Sequence, residues 1–192
     1  MKLIATPLAG VVVAEPAVFA DERGWFMESF NEARWTAGMA ELGNTGSNAL
    51  RFVQDNHSCS KAGVLRGLHY QLPPHAQGKL VRVVKGAVFD VAVDIRRRSP
   101  TFGNWFGIEL TAQNKRQLWI PEGFAHAFLA LEDDTHFLYK TTDFYARDCE
   151  HAIRWDDPAI GIAWPLLPDL RAPLVAPKDA AAPLLAAAEV FG

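Results

Sequence analysis

Cysteine is scarce in this sequence: Cys59 and Cys149 are the only two among 192 residues. Two thiols outside any C-x-x-C pair exclude a disulfide framework, and a reducing, cytoplasmic setting is the default expectation. A basic excess is also missing. The formal net charge is −3, whereas a sequence-independent nucleic-acid binder needs a cationic surface. No apolar run reaches the length of a membrane span. Lys2 and the apolar stretch to Ala14 loosely imitate a secretory leader, but Pro7 and Gly10 interrupt it. Val11-Val12-Val13 reads better as a buried strand. Neither nucleic acid nor membrane is therefore an expected partner. The G-x-G-x-x-G fingerprint, the Walker loop, the G-x-S-x-G elbow and H-E-x-x-H are all absent, so the common dinucleotide, P-loop, α/β-hydrolase and zincin sites have no local support.

What remains is an ordinary globular chain, 49% hydrophobic and 21% charged. Its length suits one domain over residues 1–192, able to bury roughly 70% of its unfolded surface. The clearest pattern is strand alternation at 88–95. Phe89, Val91, Val93 and Ile95 share an apolar face, while Val88, Asp90, Ala92 and Asp94 share a mixed one. In a closed barrel the mixed face lines a pocket, and in an open sheet it meets solvent. Further strands are predicted at 52–58, 64–71, 79–84, 105–111, 117–120, 125–131, 137–142 and 153–155. Turn signals such as Lys85-Gly86 and Glu122-Gly123 separate several of them. Many short strands with frequent turns indicate an all-β sandwich or barrel. Short helices are expected at Glu32–Leu42 and Ala180–Val190, with a loop at Asn44–Asn48.

Six histidines raise the question of a metal. Pro121–His126 resembles the later half of the metal-binding cupin pattern, but the strand that should carry H-x-H reads His69-Tyr70-Gln71. Too few imidazoles remain for a tight site, so no metal is expected there. His69 suits a general base near neutrality, set against the plainer role of a buried, hydrogen-bonded histidine. On a regular strand Arg66 and His69 face opposite sides, and they share a pocket only if the strand bulges near Gly67. Taken singly, Lys79 reads as a solvated strand end, Tyr139 as a core aromatic and Asp179 as a helix cap.

Together the segments resemble the dTDP-4-dehydrorhamnose 3,5-epimerase family. The matches run in order through Phe19–Gly24, Gln54–Ser58, Val64–His69, Ala76–Arg82, Ser99–Gly103, Gln117–His126 and Lys178–Pro183. The resemblance implies a cupin-type jelly-roll β-barrel with short peripheral helices and a C-terminal helical tail. It implies a homodimer in which N-terminal strands cross between subunits, a dTDP-4-keto-6-deoxyhexose substrate, and catalysis without metal or coenzyme. It makes His69 the general base, Asp179 its partner, Tyr139 the opposing acid and Lys79 the neighbour of the charged oxygen. Arg66 and His126 would hold the substrate. Arg23, Glu28, Gln54, Asn56, Glu150 and Lys178 would contact the nucleotide sugar, and Tyr145 would stack on thymine with help from Phe26. One departure is Ala127, which follows His126 where the family usually has Gly. Related enzymes act at C3 or C5 only, and the motifs do not separate those cases.

Overall fold

The structure is a computed structural model that describes residues 1–43, 51–166 and 172–192. The expected loop at Asn44–Asn48 lies outside the described residues. The strands are β1 (Lys2–Ala5), β2 (Val12–Glu15), β3 (Val18–Asp21), β4 (Gly24–Met27), β5 (Gln54–Ser60), β6 (Val64–Gln71) and β7 (Lys79–Lys85). They continue as β8 (Ala87–Asp94), β9 (Trp105–Thr111), β10 (Gln117–Ile120), β11 (Phe124–Ala130), β12 (Thr135–Thr141), β13 (Glu150–Ala152) and β14 (Leu174–Val175). The helices are α1 (Glu32–Glu41) and α2 (Pro177–Ala180).

One sheet has the order β1-β2-β10-β7-β12-β5, and the other the order β13-β6-β11-β8-β9, with β14 added parallel to β6. The two sheets pack as a cupin-type jelly roll. Val81, Val83, Leu118 and Phe137 of the first sheet meet Val88, Ala92, Leu110 and Phe128 of the second in the core between them. The mixed face of β8 thus points inward. Its apolar face, with Val91, Val93 and Ile95, lies on the outside of the second sheet and packs under Ile153, Ile160, Leu185 and Ala188. Alternation alone left both orientations open, and the closed two-sheet architecture selects the first.

Helix α1 covers the outer face of the first sheet, where Trp35 packs with Val12, Leu80 and Trp119. Asn31 caps the helix by accepting the Arg34 N–H at 3.1 Å. Gly38 weakens helix propensity, and a Cβ there would sit 2.9 Å from Leu3 Cδ1, so a side chain at this position would push the Leu3 tip of β1 aside.

Two expectations need correction. Residues 153–155 are not a strand. Ile153 exchanges backbone hydrogen bonds with Leu68, while the regular pairing on β6 belongs to β13. Residues 180–190 are not a helix either, because α2 ends at Ala180. Asp157 accepts the Leu185 N–H, and the Pro183 carbonyl accepts from Arg154. Tertiary hydrogen bonds have replaced the helical ladder, and Pro183 cannot donate to one. No described helix is long and apolar enough to cross a membrane.

Candidate active site

His69 lies on the inner face of β6, directly opposite His126 of β11. The ladder from His69 to Arg66 spans three residues on β6 but only two on β11, from His126 to Phe128. This bulge turns Arg66 and His69 to the same side. Gly67 makes it possible. Its φ is +130°, and a Cβ there would fall 2.3 Å from the Ala127 Cβ and 2.6 Å from the His126 carbonyl oxygen. The departure at Ala127 therefore places a buried methyl directly against Gly67.

Asp179 completes a pair with His69, at 2.8 Å from Nε2 to Oδ1. The carboxylate is buried, and its other oxygen accepts the Gly67 N–H at 3.4 Å. It does not cap α2, whose N-cap is Ala176. Pairing of β14 along Val64 and Leu65 carries the chain to α2, and α2 sets Asp179 over His69. Burial pushes Asp179 up, but the His69 hydrogen bond and charge and the Gly67 N–H together hold it below the ordinary carboxylate value.

The facing wall comes from the first sheet. Tyr139 on β12 packs against the inner core, with its ring 6.1 Å from Phe137. Phe137 in turn stacks on His126 at 6.0 Å. His69 and Tyr139 thus lie on the inner faces of opposite sheets, toward the space between them. Burial raises the Tyr139 phenol, opposed by the Arg66 charge and reinforced by Glu150. The Lys79 ammonium, at the start of β7, is lowered to about 8 by burial, against the pull of Glu150 and Asp90. A separate groove of about 240 Å³ lies on the outer side of this sheet, against Arg82, Leu138 and Lys140. Tyr139 and Asn56 also border it, but His69, Lys79 and Asp179 do not.

Asp90 is a residue that motif reading missed. It is fully buried on the inner face of β8, 3.0 Å from His126 Nε2, and forms a second histidine–carboxylate pair. The alternation at 88–95 held the signal, since Asp90 is on the mixed face. Knowing which face was internal would have singled it out.

A chain of polar contacts forms the rim. Gln54 donates to Asn56 at 3.0 Å and accepts the Tyr145 N–H at 3.0 Å. The Tyr145 hydroxyl donates to Glu150 at 3.0 Å, and Lys178 pairs with Glu150 at 3.4 Å. Arg66 donates to Ser60 Oγ at 3.2 Å and to the Cys59 carbonyl at 3.3 Å. Arg23, Phe26 and Glu28 are not brought to this rim. Arg23 pairs with Asp21, Phe26 is 68% exposed, and Glu28 pairs with Arg34.

Fold and site define a class: a jelly-roll protein whose inner sheet faces carry paired histidine–carboxylate groups and an inward tyrosine. The family model for dTDP-4-dehydrorhamnose 3,5-epimerase matches residues 5–187. The Shigella flexneri enzyme of that name is 55% identical over 179 residues, covering 93% of each chain. The Salmonella typhimurium enzyme of the same name is 54% identical over 187 residues, covering 96% of each. A crystal structure of dTDP-6-deoxy-D-glucose-3,5-epimerase from Legionella pneumophila, in complex with dTDP-4-keto-L-rhamnose, is 49% identical. It superposes with a TM-score of 0.87 over 97% of this chain and 93% of that one. This chain belongs to the dTDP-4-dehydrorhamnose 3,5-epimerase family.

Proposed function

We propose that this chain inverts C3 and C5 of dTDP-4-dehydro-6-deoxy-D-glucose to give dTDP-4-dehydro-L-rhamnose, with His69 and Tyr139 dividing the proton transfers. The observation that supports it is the His69–Asp179 pair at 2.8 Å on the inner side of one sheet, with Tyr139 on the inner face of the other.

The C4 ketone acidifies the protons on both neighbouring carbons, because loss of either gives an enolate. His69 removes a proton from one face of the sugar. Asp179 holds the imidazole in place and stabilises the imidazolium that forms. Tyr139 returns a proton from the opposite face. Its raised phenol remains protonated at neutral pH and so remains a donor. The Lys79 ammonium offsets the charge growing on the C4 oxygen. His126, held by Asp90 through Nε2, helps to hold the substrate. Neither carbon changes oxidation state, so the reaction requires no redox coenzyme. Arg66, Gln54, Asn56, Glu150 and Lys178 bind the nucleotide sugar, and the exposed Tyr145 ring stacks on thymine.

The working unit is a homodimer. Among the described residues the β3–β4 hairpin pairs with no other sheet, and it presents Phe19, Trp25 and Phe26 to solvent. Exposed aromatic side chains of this kind suit the surface of a second copy, and the hairpin carries Arg23, Phe26 and the adjoining Glu28 with it.

Turnover in heavy water tests the chemistry. Deuterium is expected at both C3 and C5 of the product, and His69→Ala should abolish exchange while leaving dTDP binding intact. Label at one carbon alone would reduce the activity to a single epimerisation, and a folded protein that exchanges neither proton would overturn the proposal.

The Lys79 ammonium gives a second test. Its pKa of about 8 means it is mostly charged at neutrality and loses its proton as pH climbs through 8. In the free enzyme kcat/KM should therefore fall on the alkaline side, with a midpoint near 8. An arginine remains charged throughout this range, so Lys79→Arg should move that limb to higher pH whatever its residual rate. An alkaline limb that stays in place in Lys79→Arg assigns it to another group.

A further inference from the structure

On the outer face of the first sheet, away from the catalytic hollow, Cys59 of β5 lies directly opposite His136 of β12. Asp134, in the turn before β12, reaches both. Its Oδ1 is 3.1 Å from Cys59 Sγ and 3.3 Å from His136 Nε2, and one ligand atom from each residue lies within 4.8 Å of the others. His57 stands diagonally across the strand pair, with Nε2 2.9 Å from His136 Nδ1.

These distances match a tetrahedral ion. Zinc bonds of about 2.0 Å to nitrogen, 2.1 Å to oxygen and 2.3 Å to sulfur give tetrahedral edges of about 3.3–3.6 Å. The sulfur–oxygen and nitrogen–oxygen separations fall within about 0.5 Å of these edges. The imidazole is also prepared. If Nδ1–H of His136 donates to His57, Nε2 is left as a lone pair facing a carboxylate oxygen and a sulfur. Three electron-rich atoms converging in this way call for a proton or a cation between them. The hydrogen bond on the far nitrogen is the usual partner of a metal-binding histidine. Lys85 pairs with the other oxygen of Asp134, so Oδ1 remains the ligand, while the nearby ammonium weakens affinity for any cation.

We propose that Cys59, Asp134 and His136 form a surface site for a borderline-soft divalent transition-metal ion such as Zn²⁺, with His57 orienting His136 and water in the open fourth position. Thiolate and imidazole select such an ion over Mg²⁺ or Ca²⁺. The ion would tie the edge strand β5 to β12 and to the turn that precedes it.

Cobalt titration of the tag-free, full-length protein tests this. One equivalent of Co²⁺ should bring up a sulfur-to-cobalt charge-transfer band with tetrahedral visible bands, and Zn²⁺ should remove both. Cys59→Ser should abolish the charge-transfer band, Cys149→Ser should retain it, and His136→Ala should weaken binding at least tenfold. All three positions are outside the catalytic hollow, and circular dichroism confirms that the variants are folded. The thermal midpoint of the wild type should rise with Zn²⁺, and that of Cys59→Ser should not. The site does not exist if the wild type gives no charge-transfer band. A band that survives in Cys59→Ser, or disappears in Cys149→Ser, overturns the assignment, as does wild-type affinity in His136→Ala.

Discussion

Two peripheral segments leave the jelly roll, and they end differently. The C-terminal arm finishes within its own chain. Leu185 and Ala188 are each 7% exposed beneath the apolar face of β8, and the arm delivers Asp179 to His69. The N-terminal hairpin β3–β4 is unfinished. All four residues of β3 are exposed, and among the described residues the Trp25 ring of β4 lies under the Lys115 ammonium at 4.5 Å while remaining 57% exposed. The arm shows how one chain covers its sheet and sets a buried carboxylate against His69. The hairpin, equally rich in candidate residues, shows a surface that one chain leaves open. Apolar exposure of this kind is what the proposed second copy would cover.

The largest expected effect tests the arm. If it delivers chemistry as well as cover, Asp179→Asn should lower kcat by about 10² to 10⁴ with little change in KM, because the imidazole loses both its orientation and its counter-charge. A variant with the wild-type kcat would make the arm a covering segment only, and the comparison would lose its functional half.

A smaller effect tests the hairpin. Arg23→Ala should raise KM by about tenfold to a hundredfold, the worth of one charge-assisted hydrogen bond to phosphate. Its decisive form is a mixture with His69→Ala. If the hairpin serves the partner's site, a mixed dimer holds one site with both lesions and one with neither, and random mixing restores about one quarter of wild-type activity under conditions where each variant alone is silent. If the hairpin serves its own chain, every site carries a lesion and nothing is restored.

Much of the barrel was legible because inward and outward positions alternate. The predicted bounds 64–71, 105–111 and 117–120 coincide with β6, β9 and β10. His69, Lys79, Tyr139 and Asp179 stand out only through the family resemblance; the fold pairs Asp179 with His69 and places Tyr139 on the inner face of the opposite sheet. Local pattern failed wherever distant partners decide the conformation. Residues 180–190 have helical composition, yet Asp157 and Arg154 take their backbone groups. Asp90 became visible only once the inner face of β8 was known. Sequence order alone could not say that Arg23 pairs with Asp21 and Phe26 stays exposed, away from His69, because that depends on how the hairpin folds in three dimensions.

The smallest effect separates the two segments by thermodynamics instead of turnover. Leu185→Ala removes a buried side chain from beneath β8 and should cost about 2–5 kcal/mol. That loss is internal to one chain, so the thermal midpoint should fall by the same amount at every protein concentration. Trp25 is 57% exposed, and within one chain its loss forfeits mainly the Lys115 contact, about 0.5–1 kcal/mol at an exposed site. If a second copy covers the hairpin, the wild-type midpoint rises with concentration, since association stabilises the folded state by mass action. Trp25→Ala should then flatten that rise, while Leu185→Ala shifts it downward in parallel. Parallel downward shifts in both variants would mean the hairpin is already finished within its own chain, and the contrast with the arm would disappear.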